Sequence, residues 1–203
     1  MLEIGESDRG VNAFFLALQS GEDALAQEAM EQLAAMPAEA QAAVVDGCRA
    51  LLNHPNADTR WWTVRALSEV SDPAGGELLA QALRDPDQAV RQCAALALRL
   101  QPHPAAIAPL AALLADRDPL LAGLATDALA AHGQAAVPVL LEQLQSGALG
   151  AKALAARALT RIGDPRAIPG LIAALDGDSA LLEYWAAEGL ERMGVGMAFF
   201  RPA

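Results

Sequence analysis

The sequence predicts an all-α fold, a right-handed α-solenoid of about six helical hairpins. An alanine-rich segment that ends in leucine occurs five times, and the intervals between these leucines are 31, 31, 30 and 31 residues. A fixed interval of this length is typical of stacked helical repeats. Alanine and leucine dominate the apolar residues, and only 4% of the chain is aromatic, which favours closely packed helices. The five leucines are Leu67, Leu98, Leu129, Leu159 and Leu190.

Two hairpins are predicted before the repeat becomes regular. Residues 8–20 and 23–36 carry apolar side chains at helical spacing, and Pro37 ends the second of these helices because proline cannot continue one. Residues 38–53 and 57–70 predict the next hairpin, with a turn at His54-Pro55-Asn56. The remaining four hairpins each pair a helix bearing two spaced leucines with an alanine-rich second helix.

The predicted domain organisation is a single repeat domain over residues 1–203. The hairpin at 8–36 departs furthest from the repeat, so we expect it to cap the stack, while 38–194 forms five repeats. Residues 195–203, which include Phe199 and Phe200, form a C-terminal tail. We expect this tail to pack over the last helix or to contact a partner.

Polar residues and prolines mark where the helices begin. Pro109, Pro138 and Pro169 fall early in successive first helices, where a missing N–H costs little. Four residues stand at equivalent N-cap positions before second helices, where a side-chain oxygen can accept bonds from free amides. The fifth hairpin offers only Ser146-Gly147-Ala148 in this place. The four predicted caps are Asn56, Asp87, Asp118 and Ser179.

The repeat resembles a known family. Residues 87–98 have the pattern Asp-x-x-Val-Arg-x-x-Ala-Ala-x-Ala-Leu, and residues 159–171 contain Ile-Gly-Asp-Pro-x-Ala-Ile-Pro-x-Leu. Both resemble the short HEAT-like repeat that is also known from phycobilisome lyases, and the resemblance covers about residues 56–194. It implies the solenoid fold, and it allows a bilin lyase, because known members attach or remove linear tetrapyrroles. The Val-Arg pair is replaced in the later hairpins by Leu121-Ala122, Ala151-Lys152 and Leu182-Glu183.

Composition argues against several classes of function. The formal net charge of -11 and the pI near 4.6 oppose binding to a phosphate backbone, so we expect no nucleic acid partner. No apolar run is long enough to span a bilayer and no secretory signal is present, so we expect no membrane partner and a cytoplasmic location.

The two cysteines are far apart and predict reduced, buried thiols. The three histidines lack neighbours at metal-ligand spacing, so no metal site is predicted. The serines and cysteines have no adjacent basic partner in the sequence, so no catalytic residue is predicted, and no cofactor is expected.

Aligning the second helices predicts a binding surface. A solenoid lines its concave face with equivalent positions from successive repeats. At one position the aromatic residues Trp61 and Tyr184 flank smaller residues, and the next position toward the helix ends carries charges of both signs. Trp62 and Trp185 follow directly and are expected in the core. The predicted contact residues are Trp61, Arg65, Gln92, Leu96, Gly123, Asp127, Ala153, Arg157, Tyr184 and Glu188.

Two functions fit this surface. The first is a non-enzymatic scaffold that holds a peptide or protein partner, with exposed aromatic residues as anchors. The alternative, which follows from the family resemblance, is a bilin lyase subunit or a related tetrapyrrole-handling protein. In that case the groove would hold a flat pigment and its arginines would pair with the propionates.

Overall fold

The computed structural model describes residues 6–70, 72–177 and 179–195, which contain twelve α-helices and no strand. Short 3₁₀ turns precede α7, α9 and α11. The fold class predicted from the sequence, six helical hairpins of a solenoid, is confirmed. The helices are α1 Glu6–Gln19, α2 Asp23–Leu33, α3 Ala38–Leu51, α4 Ala57–Leu67, α5 Pro73–Ala82, α6 Gln88–Leu100, α7 Ile107–Ala112, α8 Pro119–Ala131, α9 Val137–Ser146, α10 Leu149–Ile162, α11 Ile168–Ala174 and α12 Ala180–Arg192.

The chain divides into two compact units, Met1–His103 and Pro104–Ala203. In unit 1 the first helices of the hairpins, α1, α3 and α5, pack in one layer, and the second helices, α2, α4 and α6, pack in another. Unit 2 repeats this arrangement with α7, α9 and α11 in one layer and α8, α10 and α12 in the other. The single-domain organisation expected from the sequence stays a prediction. The tail residues 196–203 lie outside the described part of the chain.

The five register leucines are core residues. Leu67, Leu98, Leu129, Leu159 and Leu190 are between 0% and 3% exposed. They face the first helices, where the paired leucines of the repeat, such as Leu79 and Leu140, are also fully buried. Alanines fill the space between successive second helices, and they include Ala95, Ala125 and Ala156, each 0% exposed. The helical repeat of 3.6 residues therefore presents a leucine stripe, with small residues beside it, on the buried side of each second helix.

The predicted helix caps are formed as expected. Asp87 and Asp118 each accept bonds from two amides of the following turn, and Asn56 and Ser179 each accept one. At α10 the N-cap residue is Ala148, which makes no side-chain bond. The 3₁₀ entries to α7, α9 and α11 place Pro109, Pro138 and Pro169 within the first three residues of each α-helix, as predicted.

An arginine at the same register of α4 and α6 ties each of these two helices to its own preceding turn. Arg60 donates to the carbonyl oxygens of His54 and Pro55, and Arg91 donates in the same way to Asp85 and Pro86. Arg60 also donates two bonds, of 2.7 and 2.8 Å, to the carboxylate of Asp85 in the next hairpin. Burial alone would raise the pKa of Asp85, but the bonds from Arg60 and the Asp87 amide and the charges of Arg60 and Arg91 lower it.

A second carboxylate secures the turn before α11. Asp164 accepts from the amide, Nε and Nη2 of Arg166 at 2.7 to 2.9 Å. These hydrogen bonds lower the pKa of Asp164 to about 2, although burial opposes the shift. Arg166 also donates from Nη2 to the carbonyl of Gln134, 3.2 Å away in the preceding turn. The carboxylate therefore orients an arginine that links two turns of unit 2.

Replacing Leu129 with alanine should destabilise the fold by roughly 2 to 5 kcal/mol, because the change leaves a cavity in a packed core. The matched control on the same helix is Leu120→Ala, since Leu120 is 58% exposed and surface changes usually cost less than about 0.5 kcal/mol. Urea unfolding of both variants measures the two values. Equal destabilisation by the two changes would contradict the burial of the leucine stripe.

The contribution of Asp164 should disappear in acid. Its folded-state pKa of about 2 lies below the ordinary value of 3.8. Its stabilising effect is therefore complete above the ordinary value and is lost as the pH falls through the folded one. Asp164→Asn removes the charge, so the stability difference from the wild type should be constant from about pH 7 to pH 5 and should shrink toward about pH 2. Urea titrations across this range measure the difference, and a pH-independent value would contradict the argument.

Candidate functional site

Unit 1 places its four predicted contact residues at the surface of α4 and α6. Trp61, Arg65 and Gln92 are half-buried, and Leu96 is 42% exposed. The guanidinium of Arg65 forms an ion pair with Glu69 on the same helix and donates to the hydroxyl of Ser68. This part of the second-helix face therefore offers an indole and an aliphatic side chain beside a neutralised charge.

A depression of about 480 Å³ opens beside Trp61. The ring centroids of Trp61 and Trp62 are 5.0 Å apart, with the ring planes at 87°. The indole Nε1 of Trp62 donates to the carboxylate of Asp23 on α2 at 3.2 Å, which holds the second ring in place. We call this feature the tryptophan depression. It is lined by Asp23, Ala24, Gln27, Asp58, Trp61 and Trp62.

The prediction that Trp62 and Trp185 lie in the core is wrong, because both are half-buried. The residues that share their register, Cys93, Leu124 and Leu154, are half-buried as well. The apolar side chains that α4 and α12 bury are aliphatic, and both indoles lie beside these side chains rather than among them. This register is therefore the boundary between the core and the surface in both units.

Unit 2 holds the other six predicted contact residues on α8, α10 and α12. Tyr184 is 57% exposed, and Asp127, Arg157 and Glu188 are half-buried. Gly123 faces open space, since an added Cβ would meet no atom within 4 Å. Ala153 corrects the sequence prediction: it is 2% exposed and presents almost no surface to a ligand. Five of the six residues therefore remain available for contact.

An ion-pair network crosses this face of unit 2. Asp127 on α8 accepts from Arg157 on α10 at 2.9 Å, and Arg161 pairs with the same carboxylate oxygen. The guanidinium carbon of Arg157 lies 5.9 Å from the ring centroid of Trp185, within the range of a cation–π contact. Tyr184 packs edge-on against Trp185, with centroids 5.0 Å apart. The charges predicted from the sequence thus join neighbouring second helices.

The cysteines do not supply a nucleophile. Burial raises the pKa of Cys48 to about 12. Burial also raises the pKa of Cys93 to about 11, against a smaller opposing effect of the Arg65 charge. Both thiols are therefore protonated near neutral pH, and the thiolate is the reactive form. Among the residues that the structure describes, no three potential metal ligands cluster, and no helix is long and apolar enough to cross a membrane.

Sequence reasoning missed the residues that α2 contributes to the tryptophan depression. Asp23 and Gln27 belong to the first hairpin, which departs from the repeat, so alignment of the second helices gave them no register. Asp58 gives no signal in the sequence, because a carboxylate in the first turn of a helix is common and is explained by its interaction with the helix dipole. The available signal was the pair of tryptophans at 61 and 62, in a chain with three in all.

The chain resembles known repeat proteins in sequence. A family model for HEAT repeats matches residues 11–99, 45–130, 75–152 and 107–191. The phycocyanobilin lyase subunit beta of Nostoc sp. (strain PCC 7120) is 41% identical over 83 residues. These residues are 41% of this chain and 42% of that subunit, so the match spans less than half of either protein.

Two solved structures share the fold. The complex of CpcE and CpcF of phycocyanin lyase from Nostoc sp. PCC7120 matches with a TM-score of 0.53 and 22% identity, over 96% of this chain and 79% of that chain. A designed armadillo repeat protein in complex with the peptide (KR)4 matches with a TM-score of 0.50 and 17% identity, over 93% of this chain and all of the other. At these identities the likeness concerns the fold alone.

Proposed function

Because the chain belongs to the HEAT repeat family, we propose that it is a non-enzymatic scaffold that binds a peptide or protein partner on the face formed by its second helices. The observation that carries the proposal is the exposure of Tyr184, the single tyrosine of the chain, which is 57% exposed. A large aromatic side chain at the surface is a typical anchor for a protein partner. The designed armadillo repeat protein that shares the fold is seen with a peptide, which supports this class of ligand.

Each unit carries its own set of proposed contact residues on its second helices. Residues that face open space or present an apolar surface supply the area that contacts the partner. The ion-paired side chains at the edge supply specificity more than affinity. The expected cytoplasmic location stays a prediction. The proposed contact residues are Trp61, Arg65, Gln92 and Leu96 in unit 1 and Gly123, Asp127, Arg157, Tyr184 and Glu188 in unit 2.

A second candidate, a subunit of a bilin lyase, is favoured by one observation. The match to the phycocyanobilin lyase subunit beta reaches 41% identity over 83 residues. Arg157 and Arg161 are the basic residues on the second-helix face of unit 2 that would pair with propionates. Both already share Asp127, so a bilin would have to compete with this carboxylate. We therefore place the lyase second.

Removing the proposed anchors should weaken partner binding without unfolding the protein. We expect Tyr184→Ala and Trp61→Ala each to cost about 1 kcal/mol or more of binding free energy, because aromatic residues at the surface contribute to contacts rather than to the core. The partner is isolated by affinity capture from the native organism, identified by mass spectrometry and titrated by calorimetry. Melting temperatures should stay nearly unchanged.

Matched controls for this experiment lie in the first-helix layers. Leu16 on α1 is 71% exposed and Ile172 on α11 is 39% exposed, so Leu16→Ala and Ile172→Ala remove similar apolar surface from the other layer of each unit. Gly123→Trp adds bulk where no atom lies within 4 Å of a Cβ, and it should block the partner without strain. Equal loss of binding in the controls, or loss only in proportion to unfolding, would refute the scaffold proposal.

The lyase candidate makes a distinct prediction. If unit 2 holds a bilin through its arginines, adding phycocyanobilin to the purified protein should change the absorption spectrum of the pigment, and Arg157→Gln should reduce the change. Absorption titration of the wild type and the variant measures this. A spectrum equal to the sum of the separate components would remove the lyase candidate and leave the scaffold.

A further inference from the structure

The tryptophan depression combines aromatic faces with negative charge. Its lining contains two indoles and the carboxylates of Asp23 and Asp58, and it contains no lysine, arginine or histidine. Within the described ranges neither carboxylate forms an ion pair, and Asp23 accepts only the indole N–H of Trp62. A carboxylate in a first turn stabilises a helix by about 0.3 to 1 kcal/mol, which accounts for each aspartate separately. It does not account for two half-buried indoles between them.

The second unit shows what such an aromatic pair can bind. Tyr184 and Trp185 occupy the same registers as Trp61 and Trp62, with the same centroid distance of 5.0 Å and an edge-on arrangement. There the preceding second helix supplies Arg157, whose guanidinium lies over Trp185 and pairs with Asp127. In unit 1 the preceding second helix, α2, supplies Asp23 and Gln27 instead. The aromatic pair and the carboxylates are thus present in unit 1, and the guanidinium is missing.

We propose that the tryptophan depression binds the guanidinium group of an arginine side chain in a partner segment. A cation is attracted to the face of an indole, and a planar guanidinium can stack on the ring while it donates two hydrogen bonds to a carboxylate. A lysine ammonium is a more strongly hydrated point charge and does not offer this planar fork. The net charge of -11 also steers a basic segment toward the protein.

This assignment rests on the proposed scaffold function, because it specifies the chemistry of one contact with the partner. The volume of about 480 Å³ accommodates an arginine side chain together with part of its neighbours in an extended segment. All the lining residues lie on α2 and α4 of unit 1. A short peptide that reaches only this site is therefore a suitable probe.

The test uses acetylated and amidated tetra-arginine as the probe, with tetra-citrulline as a control that keeps the shape of the side chain and removes its charge. The chain has three tryptophans, so the ¹⁵N–¹H spectrum contains three indole signals, assigned with Trp→Phe variants. Tetra-arginine should shift the indole signals of Trp61 and Trp62 and leave that of Trp185 in place. Tetra-citrulline should shift none of them.

Variants measure the contribution of the site to this binding. Asp58→Asn and Trp61→Ala should each raise the dissociation constant of tetra-arginine about fivefold or more, since one partner of the guanidinium is lost. Asp46→Asn removes the same charge from an exposed position of α3 and should change it less than about twofold. Circular dichroism melts verify that each variant is folded, and Trp61→Phe provides a milder change at the same ring.

Several outcomes would overturn the assignment. These are equal shifts with tetra-citrulline, a shift of Trp185 as large as that of Trp61, equal weakening by Asp46→Asn, or tighter binding of tetra-lysine than of tetra-arginine. The scaffold proposal fails separately. A captured partner that depends on Tyr184 but not on Asp58 leaves the scaffold and removes the arginine site. Tetra-arginine binding at Trp61, while no captured partner depends on Trp61 or on Tyr184, leaves the site and removes the scaffold.

Discussion

The close approach of α10 and α12 excludes large side chains from the contact between these two second helices. At the contact of α10 and α12 an added Cβ on Gly189 would come within 2.6 Å of the Thr160 hydroxyl, so glycine is required there. The same hydroxyl donates to the carbonyl of Trp185 at 2.9 Å. With alanine and glycine in the contact, bulky residues move to the edge of the layer. In unit 2 the boundary position of Trp185 and the exposure of Tyr184 are consistent with this packing.

Most of the fold was predictable from the sequence because the repeat constrains it at several levels. The leucine register, the N-caps and the proline positions each depend on local rules, and all of them indicate the same hairpin. The 3₁₀ entries before α7, α9 and α11 were not predicted. The prediction also extended the core wrongly by one register, to Trp62 and Trp185. The hydrophobicity of an indole does not show whether the packed helices leave room for it.

The candidate site was predictable in part. Aligning the second helices separated the register of Trp61 and Tyr184 from the leucine stripe, and in the structure Trp61 is half-buried and Tyr184 is 57% exposed. It could not reveal that Arg157 lies over an indole, because a cation–π contact depends on the spacing between helices. Nor could it place Ala153, which is covered as the helices pack, or Asp23, whose hairpin lies outside the regular repeat. Contacts between repeats are the information that the repeat alone does not contain.

The interval of 30 residues between Leu129 and Leu159 has its origin in the turn between α8 and α9. In all four regular hairpins the leucine of the first helix precedes that of the second by 19 residues, as in Leu140 and Leu159. The turn that begins at Gly133 is one residue shorter than the turn that begins at Gly163. Gln134 follows the glycine in the short turn, whereas Asp164 follows it in the next turn and accepts a bond from the amide of Arg166. A deletion between hairpins leaves the pairing within each hairpin intact. The hairpin therefore acts as a unit of fixed length, and the turn between hairpins absorbs the difference of one residue.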